Sequence, residues 1–251
     1  MSGGLGQPDA PPAGSPRWYA WLFTPQPARG IAALLFALES EWRSIAARST
    51  DHGVAHLKLH WWREEIQRLA QGKPRHPLTQ ALATSAPDAD ELCDPLAHFL
   101  TSIELELAEV AIDDEAELER FLSLADGFSR ALAVALTGRS ANSDSLQIGS
   151  DIGQAVRGVQ IVADWRHAPA NEHRRLAVLR LAARSRASWE KAIQCMRHPQ
   201  HQALRGLRVL GQLHMKKLDR MQSENYRVPL RGDELPAIQC LWTAWRAARQ
   251  H

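Results

Sequence analysis

A chain of 251 residues with 45% hydrophobic and 23% charged residues has the balance of a soluble globular protein, long enough for one large domain or two small ones. Its net charge of +2 excludes the basic surface of a nucleic-acid binder and an acidic solvating tail. Three scattered cysteines, Cys93, Cys195 and Cys240, exclude a disulfide framework and zinc-finger spacing and suit a reducing, cytoplasmic compartment, and no apolar run is long enough to span a bilayer.

Residues 1–16 are rich in Gly, Pro and Ala, with neither a basic region nor an apolar stretch. They predict a disordered tail rather than a signal peptide, with one domain over 17–251. Ala, Leu, Arg and Glu dominate the rest, alternating β-branched runs are absent, and the fold class is all-α. Helices are predicted at roughly 28–48, 53–71, 76–86, 91–111, 115–138, 144–167, 172–197, 201–224 and 233–249. Pro25 and Pro27 precede the first, and Thr50 or Asp51 can cap the second. That second helix holds Trp61-Trp62-Arg63-Glu64-Glu65. Two adjacent indoles need a wide apolar wall, so the helix is expected to be central and both tryptophans to pack as core. Gly72 can close it, with Pro74 and Pro77 keeping the chain from resuming at once, and Gly138 ends the fifth helix. Pro199 splits two late helices, while Pro229 and Gly232 break the chain before the last. Short connections predict antiparallel neighbours, and no linker or repeat divides the chain.

Several constellations are candidates for chemistry. His52, His56 and His60 recur every four residues and Glu64 continues the row, so His56, His60 and Glu64 are weak candidates for zinc against the alternative of a polar helix face. The acidic run Glu104, Glu106, Glu109, Asp113, Asp114, Glu115, Glu117 and Glu119 spreads around its helix rather than converging, which favours a solvated face over a magnesium site. Between Gly153 and Trp165, the small residues Gly153, Ala155 and Gly158 allow another element to approach. Arg157, Gln160 and Asp164 share one face of that helix and must either line a polar cavity or form an internal hydrogen-bonded ladder. The arginines and lysines of the late helices, from Arg174 to Arg220, lack aromatic interleaving and read as a solvated face, with an anionic lipid surface or a partner as the alternative. No phosphate loop, Ser-His-Asp signature or Cys-His pair is present.

In order and spacing, the fragments resemble the squalene and phytoene synthase family, whose members are single all-helical domains of the isoprenoid-synthase type built around a central cavity. Trp18-Tyr19-Ala20 with Pro25 to Arg29 is similar to the family's opening segment, and Leu35-Phe36-Ala37-Leu38 to its next helix. The Trp61 to Glu65 run and His76-Pro77-Leu78 with Ala81-Leu82 come next in register, as do Glu117-Leu118 to Phe121 and Leu124-Ala125. Gly153-Gln154-Ala155 to Asp164 resembles the second Asp-rich helix. The resemblance implies head-to-head joining of two prenyl diphosphates through magnesium held by two Asp-rich helices.

The departures fall where that chemistry belongs. The two aspartates of the first motif correspond to Arg43 and Ala47, and the preceding arginine to Ser40. In the second motif Asp164 remains while its partner corresponds to Ala168, and the family's Gln, Asn and Arg correspond to Arg157, Gln160 and Ala163. The intervening Asp-Leu is Glu106-Leu107. An arginine about 5 Å from a divalent ion costs roughly 7 kcal/mol at an effective dielectric near 20. The resemblance therefore implies a degenerate, non-catalytic member that binds a prenyl or lipid ligand or acts in assembly, as a mitochondrial branch of the family does for complex I. Cavity candidates are Arg43, Glu106, Arg157, Gln160 and Asp164, with Arg43 and Arg157 able to clamp a diphosphate directly. No cofactor is expected, Mg2+ being required only by an active head-to-head prenyltransferase. The expected partners are a prenyl diphosphate or lipid, a protein or a membrane surface, and no nucleic acid. The alternatives are that active enzyme and an unrelated helical interaction protein.

Overall fold

Helical periodicity decides the architecture. The computed structural model describes residues 10–49, 51–86, 88–109, 114–138, 142–165, 172–227 and 234–250, and among them there is no strand. The helices are α1 (Pro16–Phe23), α2 (Gln26–Arg48), α3 (His52–Ala70), α4 (Pro77–Ser85), α5 (Cys93–Leu107), α6 (Glu115–Ala125), α7 (Gly127–Thr137), α8 (Ser143–Trp165), α9 (Glu172–Cys195), α10 (Arg205–Ser223) and α11 (Ala237–Arg249). Short 3₁₀ turns at Ala89–Leu92 and Pro199–Leu204 lead into α5 and α10.

Local signals act as the sequence implies. The Asp51 carboxylate accepts from Val54 N and caps α3, while Gly72 (φ +70°) and Gly138 (φ +53°) end α3 and α7 in conformations that favour glycine. Two features differ from expectation. The stretch expected as a tail already contains the start of α1, where the Ser15 hydroxyl accepts from Trp18 N and Pro16 occupies the first turn. Residues 1–9 lie outside the described residues. The single helix expected over 115–138 breaks at Asp126, because Gly127 presses onto α5: a Cβ there would lie 2.2 Å from the Pro95 carbonyl oxygen. Tertiary contact overrides a continuous helical pattern at this point.

The main core joins α2, α3, α5, α7 and the first half of α8 around Trp42, which is fully buried and packs edge-on to Trp62 (5.6 Å between ring centres) and beside Phe99 (6.0 Å). A second cluster joins α6, α8, α9 and α10, and a third seats α11 on α1 and α10. The small residues of α8 serve as expected. Gly153 faces the backbone of Asp126, and Gly158 faces Ser185 of α9, leaving no room for a Cβ at either place.

The tandem tryptophans divide. Trp62 is buried, but Trp61 is 39% exposed and does not pack as core. It lies edge-on to Trp62 and His76 under the Arg68 guanidinium. Trp61 points about 100° away from Trp62 round the helix, past the side that Trp42 covers. The rest of the motif fastens α3 to α5 and to the turn before α4. Arg63 pairs with Glu104 and donates to Thr101 on α5. Glu65, fully buried, accepts from the backbone amides of Arg75 and His76, from the Thr79 hydroxyl and from Arg68. Burial alone would raise its pKa, but these hydrogen bonds outweigh burial and hold the carboxyl at about 2. Because the folded value lies below the ordinary one, the stabilisation is present at neutral pH and is lost as the pH falls through about 4.5 toward about 2. Glu65→Gln is expected to cost about 2–3 kcal/mol of unfolding free energy at pH 7 by urea titration, with the gap to wild type closing in that acid window.

Candidate functional site

Polar side chains from α1, α2, α5 and α8 meet between the helices. Glu39 sits one turn before Arg43 on α2 and is buried. Its Oε1 accepts from Arg17 Nη2 of α1 (2.8 Å) and from Arg43 Nε (3.0 Å). Arg43 Nη1 lies 3.7 Å from Glu106 Oε2 of α5, and Arg157 Nη2 of α8 lies 2.9 Å from Glu106 Oε1. Arg157 Nη1 donates to Gln160 Oε1 at 3.3 Å. The result is a row of alternating charge: Arg17, Glu39, Arg43, Glu106, Arg157. Aromatic faces close its flanks, with Arg43 over Phe99 (5.2 Å) and Arg157 over Phe121 (5.5 Å).

Burial pushes the Glu39 carboxyl upward, but Arg17 and Arg43 outweigh it and the net shift is downward, so Glu39 is an anion at neutral pH. The Arg157 guanidinium is pushed down chiefly by its own burial, against the pull of Glu106. Three atoms of the row keep hydrogen-bonding capacity: Glu39 Oε2, Arg157 Nε, and Glu106 Oε1, which is near Arg157 but off the hydrogen-bond axis.

The row borders two hollows. One, of about 250 Å³, has Ser15 and Pro16 in its wall and is lined by Arg17, Arg43, Arg157, His214 and Lys217 with the single carboxylate Glu39, over apolar residues including Phe99, Phe128 and Leu210. His214 Nδ1 lies 2.8 Å from the Leu210 carbonyl oxygen, which only accepts, so that nitrogen carries the proton and Nε2 is a bare acceptor. Burial lowers its pKa to about 4, so the ring is neutral at pH 7. The other hollow, of about 300 Å³, has Glu106, Glu109, Glu117 and Asp164 around Phe121 and Trp165. Arg157 belongs to both linings and forms the partition.

Of the residues expected here, Arg43, Glu106, Arg157 and Gln160 come together, and the α8 face is both cavity lining and hydrogen-bonded ladder. Asp164 is exposed at the rim of the second hollow rather than beside the first. The weak zinc candidates do not form a site. His56 is exposed, and His60 Nε2 lies 3.5 Å from Glu64 Oε1 with both side chains largely in solvent. Among the described residues no group of three or more His, Cys, Asp or Glu is placed to hold a metal. The late arginines mostly serve the surface or helix ends, as Arg186 with Asp219 and Arg184 with Glu119 show. Four contributors escaped the sequence: Arg17, Glu39, His214 and Lys217. Arg17 lay against a presumed tail, and the other three looked like ordinary polar positions on amphipathic helices.

The sequence profile of squalene/phytoene synthase matches residues 11–176, about two thirds of the chain. The protein belongs to the squalene/phytoene synthase family. A crystal structure of a dehydrosqualene synthase in complex with ligand superposes with a TM-score of 0.75 at 13% identity, covering 92% of this chain and 89% of that one. No curated protein matches the chain in sequence. The fold is thus the all-α isoprenoid-synthase fold, in a prenyltransferase family of isoprenoid biosynthesis. Arg43, expected from the sequence to stand where the family has an aspartate, pairs here with Glu39 and Glu106.

Breaking the row tests its weight. Removing one partner of a buried ion pair leaves uncompensated charge and costs several kcal/mol, less where the partners keep some solvent, as Arg17 and Arg43 do. Glu39→Gln is expected to destabilise by about 2–4 kcal/mol in urea, and adding Arg17→Met should recover part of that loss in a double-mutant cycle.

Proposed function

We propose that this family member is non-catalytic and binds an anionic isoprenoid or lipid without magnesium, using the α2–α8–α10 hollow. The observation that carries this is the alternating row itself: Arg43 and Arg157 stand within ion-pair distance of the Glu39 and Glu106 carboxylates, so a cation approaching either one meets a guanidinium already beside it. Magnesium demands near-octahedral oxygen ligands, and two carboxylates already held by arginines, with Asp164 beyond the partition, do not offer that set.

The same geometry suits an anion. Four cationic side chains face one carboxylate in the first hollow, beside apolar residues, and Arg157 Nε is left to donate. The hollow is small beside the roughly 300–1,000 Å³ of ordinary ligand sites, which favours one head group with a short length of chain over the two prenyl diphosphates of a head-to-head condensation. A binder of this kind would work in the cytoplasm at a membrane surface, where its ligand resides. Retained head-to-head prenyl transfer is the second reading, favoured by the carboxylates of Glu106, Glu109, Glu117 and Asp164 around the other hollow.

Calorimetric titration with farnesyl thiodiphosphate is expected to show binding that is the same with magnesium as with chelator. Arg157→Ala should weaken it about tenfold or more, the range of a charge-assisted hydrogen bond. Magnesium-dependent condensation of two farnesyl diphosphates, abolished by Asp164→Ala, would instead establish the transferase.

A further inference from the structure

Helix α11 presents apolar side chains in two opposite directions. Cys240, Ala244 and Ala247 face inward against α1 and α10. Ile238, Leu241, Trp242 and Trp245, spaced i, i+3, i+4 and i+7, form an outward stripe with exposures of 75%, 44%, 57% and 36%. The Trp242 and Trp245 rings stack with centroids 5.1 Å apart, and the Arg249 guanidinium lies 4.2 Å over Trp245. The helix holds no acidic residue. Its only charges, Arg246 and Arg249, lie in the last turn.

That basic end leads into a third hollow, of about 360 Å³, reached by Ala248 and Gln250 of the α11 end and lined by Arg197, His198, Arg205 and Arg208. Arg208 is 7% exposed. One of its amino groups donates to the Met196 carbonyl at 2.8 Å, the other to the Gln250 carbonyl, and its Nε has no partner. Burial depresses its pKa, with no carboxylate opposing that shift among the described residues; Asp144 acts on His201 of the same lining.

We propose that α11 is a lipid-docking helix. It lies in the headgroup plane of an anionic bilayer with its Trp stripe inserted, Arg246 and Arg249 reach the phosphates, and one phosphate headgroup enters the hollow beside Arg208. Indoles and long basic side chains together match the interface, where an apolar body meets a polar, negatively charged layer. Basic residues near such a surface add electrostatic attraction to its anionic headgroups. The stripe is a single convex helix face, which suits a deformable headgroup layer. A protein partner would be expected to find a groove or pocket for its anchors. This docking rests on the membrane placement of the proposed binder and uses none of the central hollow's residues.

Flotation of the full chain with vesicles tests it. Vesicles of phosphatidylcholine with about one third phosphatidylglycerol should carry the protein, and pure phosphatidylcholine should not. Trp242→Ser/Trp245→Ser should weaken the binding at least about tenfold. Arg246→Glu/Arg249→Glu should abolish the preference for anionic vesicles, and Arg208→Met should weaken binding to them. Because Trp242 and Trp245 point outward, their variant should melt as wild type does, which separates lost docking from lost folding. Equal binding by wild type and the Trp variant would overturn the role of α11 while leaving membrane association intact. A dimer in sedimentation velocity that the same Trp variant dissociates would assign the stripe to a second copy of the chain. Farnesyl thiodiphosphate binding by the Trp variant should match wild type, so failure of either proposal can be told from failure of the other.

Discussion

Three arginines and two glutamates contributed by α1, α2, α5 and α8 set the terms for the interior of this protein. Charges at this depth are tolerated when each has an opposite neighbour or hydrogen-bond acceptors within a few ångströms, since the cost of desolvating an unpaired ion is several kcal/mol. Glu39 meets that condition between Arg17 and Arg43, and Glu106 meets it between Arg43 and Arg157. The requirement fixes the relative placement of the four helices and divides the interior in two. A metal-dependent prenyltransferase must hold carboxylates toward one another until cations bridge them. Here the guanidinium groups belong to the chain itself, so both carboxylates are neutralised as the chain folds and one positive charge is left over.

The Trp-Trp-Arg-Glu-Glu motif has a different task. Trp62 packs against Trp42, Arg63 reaches α5, and Glu65 gathers the backbone amides of the turn leading into α4. All three contacts fasten α3 to its surroundings, and none reaches the α2–α8 hollow. The motif and the charged row are thus separate sets of residues that answer to different physical demands, one to fastening helices and the other to pairing buried charge.

Much of this was legible in the residues. Helical composition, the cap at Asp51 and the stops at Gly72 and Gly138 are short-range signals, and they placed α3 and the end of α7 well. The face shared by Arg157 and Gln160 was visible from spacing alone. The features that escaped depended on partners distant in sequence. Glu39 looks like any polar residue on an amphipathic helix until Arg17 is brought over it, and α1 was hidden by the Pro- and Gly-rich stretch before it. The break at Asp126 arises from the closeness of Pro95 to Gly127. Trp61 is a further case: which of two adjacent indoles is covered depends on the partner, here Trp42, that α2 brings against Trp62.

Helix α10 is gripped at two successive turns. A Cβ at Gly206 would lie 2.3 Å from the Thr24 hydroxyl oxygen of α1, and one at Gly211 would lie 2.3 Å from the Trp189 ring of α9. With a neighbour against bare backbone at both places, α10 can neither slide nor turn about its axis without collision. It behaves as a fixed axle shared by two workplaces, holding His214 and Lys217 at the central hollow and Arg205 and Arg208 at the hollow below α11. A larger residue at either glycine would push α10 off its neighbour and so be felt at both hollows at once.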